Sequence, residues 1–264
     1  MRVVYFAVLS VVLGAFGINW IAAQAGHSAS MSDLAQQGKA LVIETRVRLP
    51  GNVGDDLNCS SCHLDAGARP QALGWIGIAD KFPEYNARRG STITLPQRIN
   101  DCFERSMNGR ALEENSLPMR SIVAYIQSLS VQQGSVSRGV GIIDRTLQAN
   151  SVRGKQIYVA RCASCHGADG SGGDSAAADG RGSAVADSIP ALWGAASFND
   201  GAGMARSVTA AAFVKFNMPL GQANTLTDQE ALDVAEFFTH QSRPVFARKS
   251  GDWPHGGKPS DARS

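Results

Sequence analysis

Apolar residues recur at helical spacing in four stretches of the chain, separated by polar, glycine-rich and proline-rich sequence. In the first, Leu34, Leu41 and Val42 fall on one face behind Ser32, which predicts a capped helix running to about Thr45. The second follows Pro118, a residue suited to the first turn of a helix, and sets Ile122, Tyr125, Ile126 and Leu129 on one face. Ser151 opens a short third helix through Ile157 and Tyr158. The fourth starts at Thr227-Asp228-Gln229-Glu230, which has the form of a capping box, and turns Leu232, Ala235 and Phe238 inward.

The connections follow one plan twice. A Pro50-Gly51 turn leads from the first helix to Cys59-Ser60-Ser61-Cys62-His63, and the third helix runs straight into Cys162-Ala163-Ser164-Cys165-His166. After the first motif comes a long loop, Leu64 to about Leu117, that carries Arg69, Arg88, Arg89, Arg98, Arg105 and Arg110; loops of this length are usually functional. After the second, residues 167–187 are rich in Gly, Ala and Asp and are expected to form either a mobile loop or the surround of the group the motif holds, and Pro190, Trp193 and Gly194 follow. The predicted architecture is all-α, with two small domains at residues 26–130 and 151–248 joined by a linker at 131–150. A polar tail at 249–264, containing Gly and Pro, is expected to be disordered.

Residues 1–25 have the form of a secretory signal. Arg2 supplies the positive start, Val3 to Ile21 is mostly apolar, and Ala23-Gln24-Ala25 offers a small-x-small cleavage site. The apolar run approaches the roughly 20 residues that span a bilayer, which makes an uncleaved anchor the alternative. Gly14, Gly17 and Asn19 weaken such a span, so export with cleavage is expected and membrane contact only if the signal is retained. The 264 residues, 44% of them hydrophobic, suffice for two modest cores. A net charge of +2 shows none of the basic excess of a nucleic-acid binder.

A Cys-x-x-Cys-His motif is the pattern for covalent c-type haem attachment. Cys59 with Cys62 and Cys162 with Cys165 can hold two haems, and His63 and His166 each supply one axial ligand to iron. A zinc site or a redox pair would need further ligands or a different setting. In the second domain Met218, in a Met-Pro turn before the closing helix, is the expected sixth ligand; a methionine in a core is its ordinary alternative, and Lys215 and Asn217 are nearby donors. In the first domain Cys102, Met107 and Met119 remain open candidates. Cys102 is the fifth cysteine, with the other four used in attachment, so an exported chain leaves it no intramolecular partner. It can bind iron, act on sulfur as a nucleophile, lie buried and inert, or pair between molecules.

The segment Arg98-Ile-Asn-Asp-Cys102-Phe-Glu-Arg-Ser-Met107-Asn-Gly, together with both haem motifs and Asn217-Met218-Pro219, resembles the dihaem thiosulfate dehydrogenases, or tetrathionate synthases, of bacterial periplasms. The resemblance covers roughly Met31 to Arg248. It implies a periplasmic oxidoreductase that joins two thiosulfates into tetrathionate with release of two electrons, a reaction that can also run in reverse. It further implies a catalytic haem with His63 and Cys102 as axial ligands and a relay haem held by His166 and Met218, where Asn217 replaces a lysine found in some members. Arg98 and Arg88 are the arginines it places beside the catalytic haem. Guanidinium forks suit that task, because two dianions must be brought together. Arg89, Arg105 and Arg110 are left open between a place at the site and a solvated surface. Cys102 would leave the iron to form an adduct with one thiosulfate, which a second thiosulfate resolves. A small periplasmic cytochrome c or iron-sulfur protein would exchange the electrons. The alternatives are a non-catalytic dihaem electron carrier and the cysteine-ligated cytochrome subunit of a sulfur-oxidising multienzyme system.

Overall fold

The computed structural model describes residues 30–133, 139–173 and 189–263. The expected signal, part of the expected linker and most of the 167–187 stretch lie outside these residues.

Helix α1 (Met31–Ile43) is capped two residues earlier than expected. Ser30, not Ser32, accepts from the Asp33 amide at 3.1 Å, and Asp33 accepts in return from the Ser30 amide. A short helix, α2 (Thr45–Arg48), follows. Thr45 is fully buried, and its hydroxyl accepts from the Cys59 amide at 3.0 Å, which ties α2 to the first haem motif. Helix α4 (Leu117–Gln133) closes the unit. Ile122, Tyr125, Ile126 and Leu129 are buried on it as the periodicity predicts, and it runs a few residues past the expected domain end. It crosses α1 at Gly38, where a Cβ would lie 1.9 Å from the Ser121 carbonyl oxygen. Only glycine allows the two backbones to approach so closely.

The second unit repeats this crossing. Helix α5 (Ser151–Arg161) is capped by Asn150, whose side chain accepts from the amides of Val152 and Arg153, and it leads into the single turn α6 (Ala163–His166). A Cβ on Gly154 of α5 would lie 1.9 Å from the Asp233 carbonyl oxygen of the closing helix α8 (Asp228–Thr239). Thr227 and Glu230 form the expected capping box, and Leu232, Ala235 and Phe238 are buried. A helix absent from the sequence-based reading, α7 (Ser207–Asn217), packs against α8 and ends at Met218.

The long connection after the first motif is more ordered than expected. It contains a two-stranded antiparallel hairpin, β1 (Glu84–Asn86) with β2 (Ser91–Ile93), and an eleven-residue helix, α3 (Leu95–Arg105). Thr94 and Gln97 make a capping box at its start, with Pro96 in the first turn. Helices otherwise carry the fold.

One further expectation is corrected. Residues 249–263 are packed rather than disordered: Asp252 bonds Arg105 through both carboxylate oxygens at 2.7 and 2.9 Å, and Asp261 accepts from Arg206 and from the Val208 amide. Polar composition suggested disorder, yet the partners are buried cations far away in sequence. Of the three arginines left open, Arg105 is buried, whereas Arg89 and Arg110 are exposed. Arg105 is 8% exposed in that ion pair, and Arg89 grips Asp101 with Nη2 at 2.6 Å. The buried apolar residues of the two units form one connected cluster.

Candidate haem-thiolate site

Helix α3 carries the chemistry of the first unit. Arg98 and Cys102 are one turn apart on it, so their side chains meet on one face, and Arg98 Nη1 donates to Cys102 Sγ at 3.0 Å. Attraction to Cys102 is the largest influence on Arg98 and raises its pKa. This face of α3 looks toward the first motif: charge on Cys102 acts on both Cys59 and Cys62, and charge on Arg98 acts on His63. Cys102 is half-buried, whereas Met107 and Met119 are 3% and 0% exposed within the apolar core. The structure therefore brings Cys102, rather than either methionine, to the His63 side together with an arginine.

The far side of α3 is fixed by the second unit. Asn199 donates to the Glu104 carbonyl at 2.8 Å and to Asn108 Oδ1 at 3.1 Å, and its amide donates to the Arg105 carbonyl. Arg88 belongs to this support. Its Nε lies 3.1 Å from Asp252, its Nη1 donates to the Gly201 carbonyl at 2.8 Å, and its guanidinium stacks on Trp253 at 4.6 Å. Burial, then the neighbouring Arg105, pulls Arg88 down to about 10. The predicted pair is thus divided in its contacts: Arg98 touches the thiol, and Arg88 is held by the 249–263 segment.

The donor chemistry at both motifs fits a covalently attached haem. His63 Nδ1 lies 2.6 Å from the Leu73 carbonyl and so carries the proton, leaving the Nε2 lone pair for iron. Burial pulls His63 down to about 4, which keeps the imidazole neutral. His166 is arranged alike, with Nδ1 3.0 Å from the Pro190 carbonyl, and burial lowers its pKa too. Burial pushes Cys59 and Cys62 up to about 12 and Cys162 up to about 11. Among the described residues no group of three or more His, Cys, Asp and Glu side chains is arranged to hold a metal ion.

Around the second motif, Tyr158 donates to the Gly167 carbonyl at 2.6 Å and stacks on Trp193 with ring centroids 5.0 Å apart. Met218 caps α7, partly buried against the core. Lys215 is occupied elsewhere, donating to the Leu226 carbonyl at 2.6 Å and lying 3.7 Å from Asp228. Asn217 is 1% exposed, with its amide group bonded to two carbonyls.

Known proteins resemble this chain in sequence and fold. Residues 53–134 match the family model described as SoxA/TsdA, cytochrome c domain, and residues 151–242 match the one described as Cytochrome c. A thiosulfate dehydrogenase of Psychrobacter arcticus is 44% identical over 232 residues, covering 86% of this chain and 69% of the relative. One of Allochromatium vinosum is 45% identical over 224 residues, covering 82% and 80%. The chain belongs to the thiosulfate dehydrogenase family. Among solved structures, the as-isolated form of thiosulfate dehydrogenase (TsdBA) from Marichromatium purpuratum aligns with a TM-score of 0.71 and 32% identity over 83% of this chain. The present chain spans 48% of that one. Like other members of the thiosulfate dehydrogenase family, the chain carries two cytochrome c domains, and hence two covalently bound c-type haems.

Two features of this family member escaped the sequence-based reading. One is the clamp on α3, made of contacts between residues far apart in the chain. The other is Asp55, whose Oδ2 is buried without a partner and whose charge acts on both Cys59 and Cys62. Nothing in its local sequence marks that burial.

Proposed function

We propose that the chain oxidises thiosulfate to tetrathionate at the Cys102 face of α3, in the periplasm, and passes the electrons through the second domain to a small electron-transfer protein. The observation that carries this reading is the 3.0 Å contact between Arg98 and Cys102 on the helix face turned to the Cys59–His63 motif. His63 with Cys102, and His166 with Met218, are the proposed axial pairs. Bound c-type haem supplies a one-electron acceptor at each iron, with a potential lowered by thiolate and raised by thioether ligation.

The chain's own residues do the rest. Arg98 presents a positive fork beside the thiolate, which stabilises the anionic sulfur and offsets the charge of an incoming thiosulfate dianion. Cys102 Sγ bonds to the outer sulfur of that thiosulfate as two electrons leave, giving a cysteine S-thiosulfonate. The outer sulfur of a second thiosulfate then attacks the sulfur bound to Sγ, releasing tetrathionate and restoring the thiolate, so charge and electrons balance. Arg88, Arg105 and Asp252 keep α3 in place.

The test is turnover by the purified chain alone, with an artificial electron acceptor. Tetrathionate formation that disappears in Cys102→Ser with both haems attached is the expected result. An unchanged rate in that variant would sink the mechanism. A parent chain inactive without companion proteins would favour the electron carrier or the sulfur-oxidising subunit.

A further inference from the structure

Asn217 precedes Met218 in the second domain, yet its side chain reaches into the first. Its amide nitrogen donates to the Phe213 carbonyl one turn back at 3.0 Å and, across the domain boundary, to the Gln71 carbonyl at 2.9 Å. Both N–H groups are used, and Oδ1 is buried with no partner, so no other contact explains the placement of the side chain. Gln71 belongs to the segment that orients His63: two residues on, the Leu73 carbonyl accepts the His63 proton at 2.6 Å. Gln71 and Leu73 both adopt left-handed backbone, φ 61° and 53°, and Ala72 between them is fully buried. Non-glycine residues rarely hold that conformation unless their surroundings fix it. One fixing contact is the Leu73 amide, which donates to the Gly139 carbonyl at 3.0 Å; Asn217 provides another.

We propose that Asn217 is a positioning residue that ties the turn bearing Met218 to the segment that sets the orientation of His63, so that the two proposed iron-ligand sets are held in one fixed relation. The route is short and continuous: the His63 ring to the Leu73 carbonyl, two peptide units to the Gln71 carbonyl, then the Asn217 amide and Met218. A contact made inside the second domain alone would hold Met218 and leave His63 indifferent. This one reaches His63. Orientation of a ligating imidazole, and the hydrogen bond on its far nitrogen, tune the iron it binds.

The inference rests on the proposed His63/Cys102 and His166/Met218 ligation, and spectra of the unsubstituted two-haem protein test that reading first. A methionine charge-transfer band together with a thiolate-type low-spin signal supports the ligation, and absence of either fails it independently of Asn217. The tie is then tested with two variants. Asn217→Ser keeps a hydroxyl that can bond back to the Phe213 carbonyl but is too short for Gln71, and Asn217→Asp keeps the shape but loses the donors. Electron-spin spectra and redox titration of both haems are the readouts, with haem content and helical circular dichroism as controls. The expected result is a shift in the signal and midpoint potential of the thiolate-bound, His63-side haem, although the substitution lies in the other domain. Changes confined to the methionine-side haem, or to neither, would overturn the proposal. Should neither variant retain two haems, the reduced parent labelled with 15N-asparagine decides: two slowly exchanging side-chain protons on Asn217 support the tie, and rapid exchange of either refutes it.

Discussion

Arg98 Nη1 lies 3.0 Å from Cys102 Sγ, one turn earlier on the same helix, while Arg88 spends its donors on Asp252 and Gly201. The two arginines therefore have separable jobs. The hydrogen bond that Arg98 makes is local, to Cys102 on its own helix, so Arg98→Ala should cost little in unfolding. A charge-assisted hydrogen bond from Arg98 to the reacting thiosulfate would contribute about 1.5–3 kcal/mol to the bound and reacting states. Removing it should lower kcat/KM for thiosulfate by roughly 10- to 150-fold. Arg98→Lys should recover only part of this, because an ammonium lacks the planar fork. Steady-state kinetics beside urea unfolding check both statements, and equal losses of activity in Arg98→Ala and Arg88→Ala with equal losses of stability would contradict the division.

Asp252 is the counter-ion of Arg105 and Arg88, and its side chain is 6% exposed. Asp252→Ala strands two mostly buried guanidiniums, and breaking a buried pair costs about 3–5 kcal/mol. The expected outcome is a large fall in the urea midpoint with both haems still attached. Since Arg88 and Arg105 share one carboxylate, the energies of Asp252→Ala and Arg105→Ala should be far from additive. A double-mutant cycle measures this, and additive energies would show that the segment does not support α3.

How much of this was legible in the sequence depends on how local the cause was. The closing helices α4 and α8 were placed by periodicity and a capping box, and both face the core as expected. Cys102 stood out by cysteine arithmetic and by the resemblance of its segment. Helix α3 itself was missed inside a long polar loop, because Arg, Asn and Asp dominate it; its signal was Thr94 three residues before Gln97 with a proline between them. The residues after 248 looked unstructured because their partners, Arg88, Arg105 and Arg206, are supplied from far along the chain. Asn217 was weighed only as a possible donor to iron, and its bond to Gln71 is a property of domain placement that no local pattern encodes.

Asp55 gives the stability a pH dependence. Burial, partly opposed by the Leu57 amide on Oδ1, raises its carboxyl from 3.8 to about 7. Below about pH 4 both folded and unfolded chains carry the proton and the group contributes nothing. Between the two values only the folded chain holds it, so stability falls as pH rises, and above about 7 the cost of ionised Asp55 is fully present. Asp55→Asn keeps the acceptor for Leu57 and removes the charge. It should match the parent near pH 4 and exceed it by on the order of 4 kcal/mol near pH 8. Urea midpoints across that range give the difference curve, and a flat one would mean that Asp55 finds a partner in the haem-loaded protein.

The two helix crossings allow each domain to be loosened separately. An alanine Cβ at Gly38 would sit 1.9 Å from the Ser121 oxygen and 2.7 Å from Tyr125 Cβ; at Gly154 it would sit 1.9 Å from the Asp233 oxygen and 3.0 Å from Phe237 Cβ. Neither backbone oxygen can rotate away, so each helix pair must separate, at a cost of about 1–3 kcal/mol or more. Gly38→Ala displaces α1 and α2, and Thr45 at the end of that path is bonded to the Cys59 amide. The substitution should therefore disturb the spectrum of the His63-side haem first. Gly154→Ala displaces α5, which runs directly into Cys162, and should disturb the Met218-side haem first. Haem content and ligand-specific spectra of the two proteins separate these outcomes. Identical spectral changes in both would indicate that the shared apolar cluster, and not the individual crossings, governs haem placement.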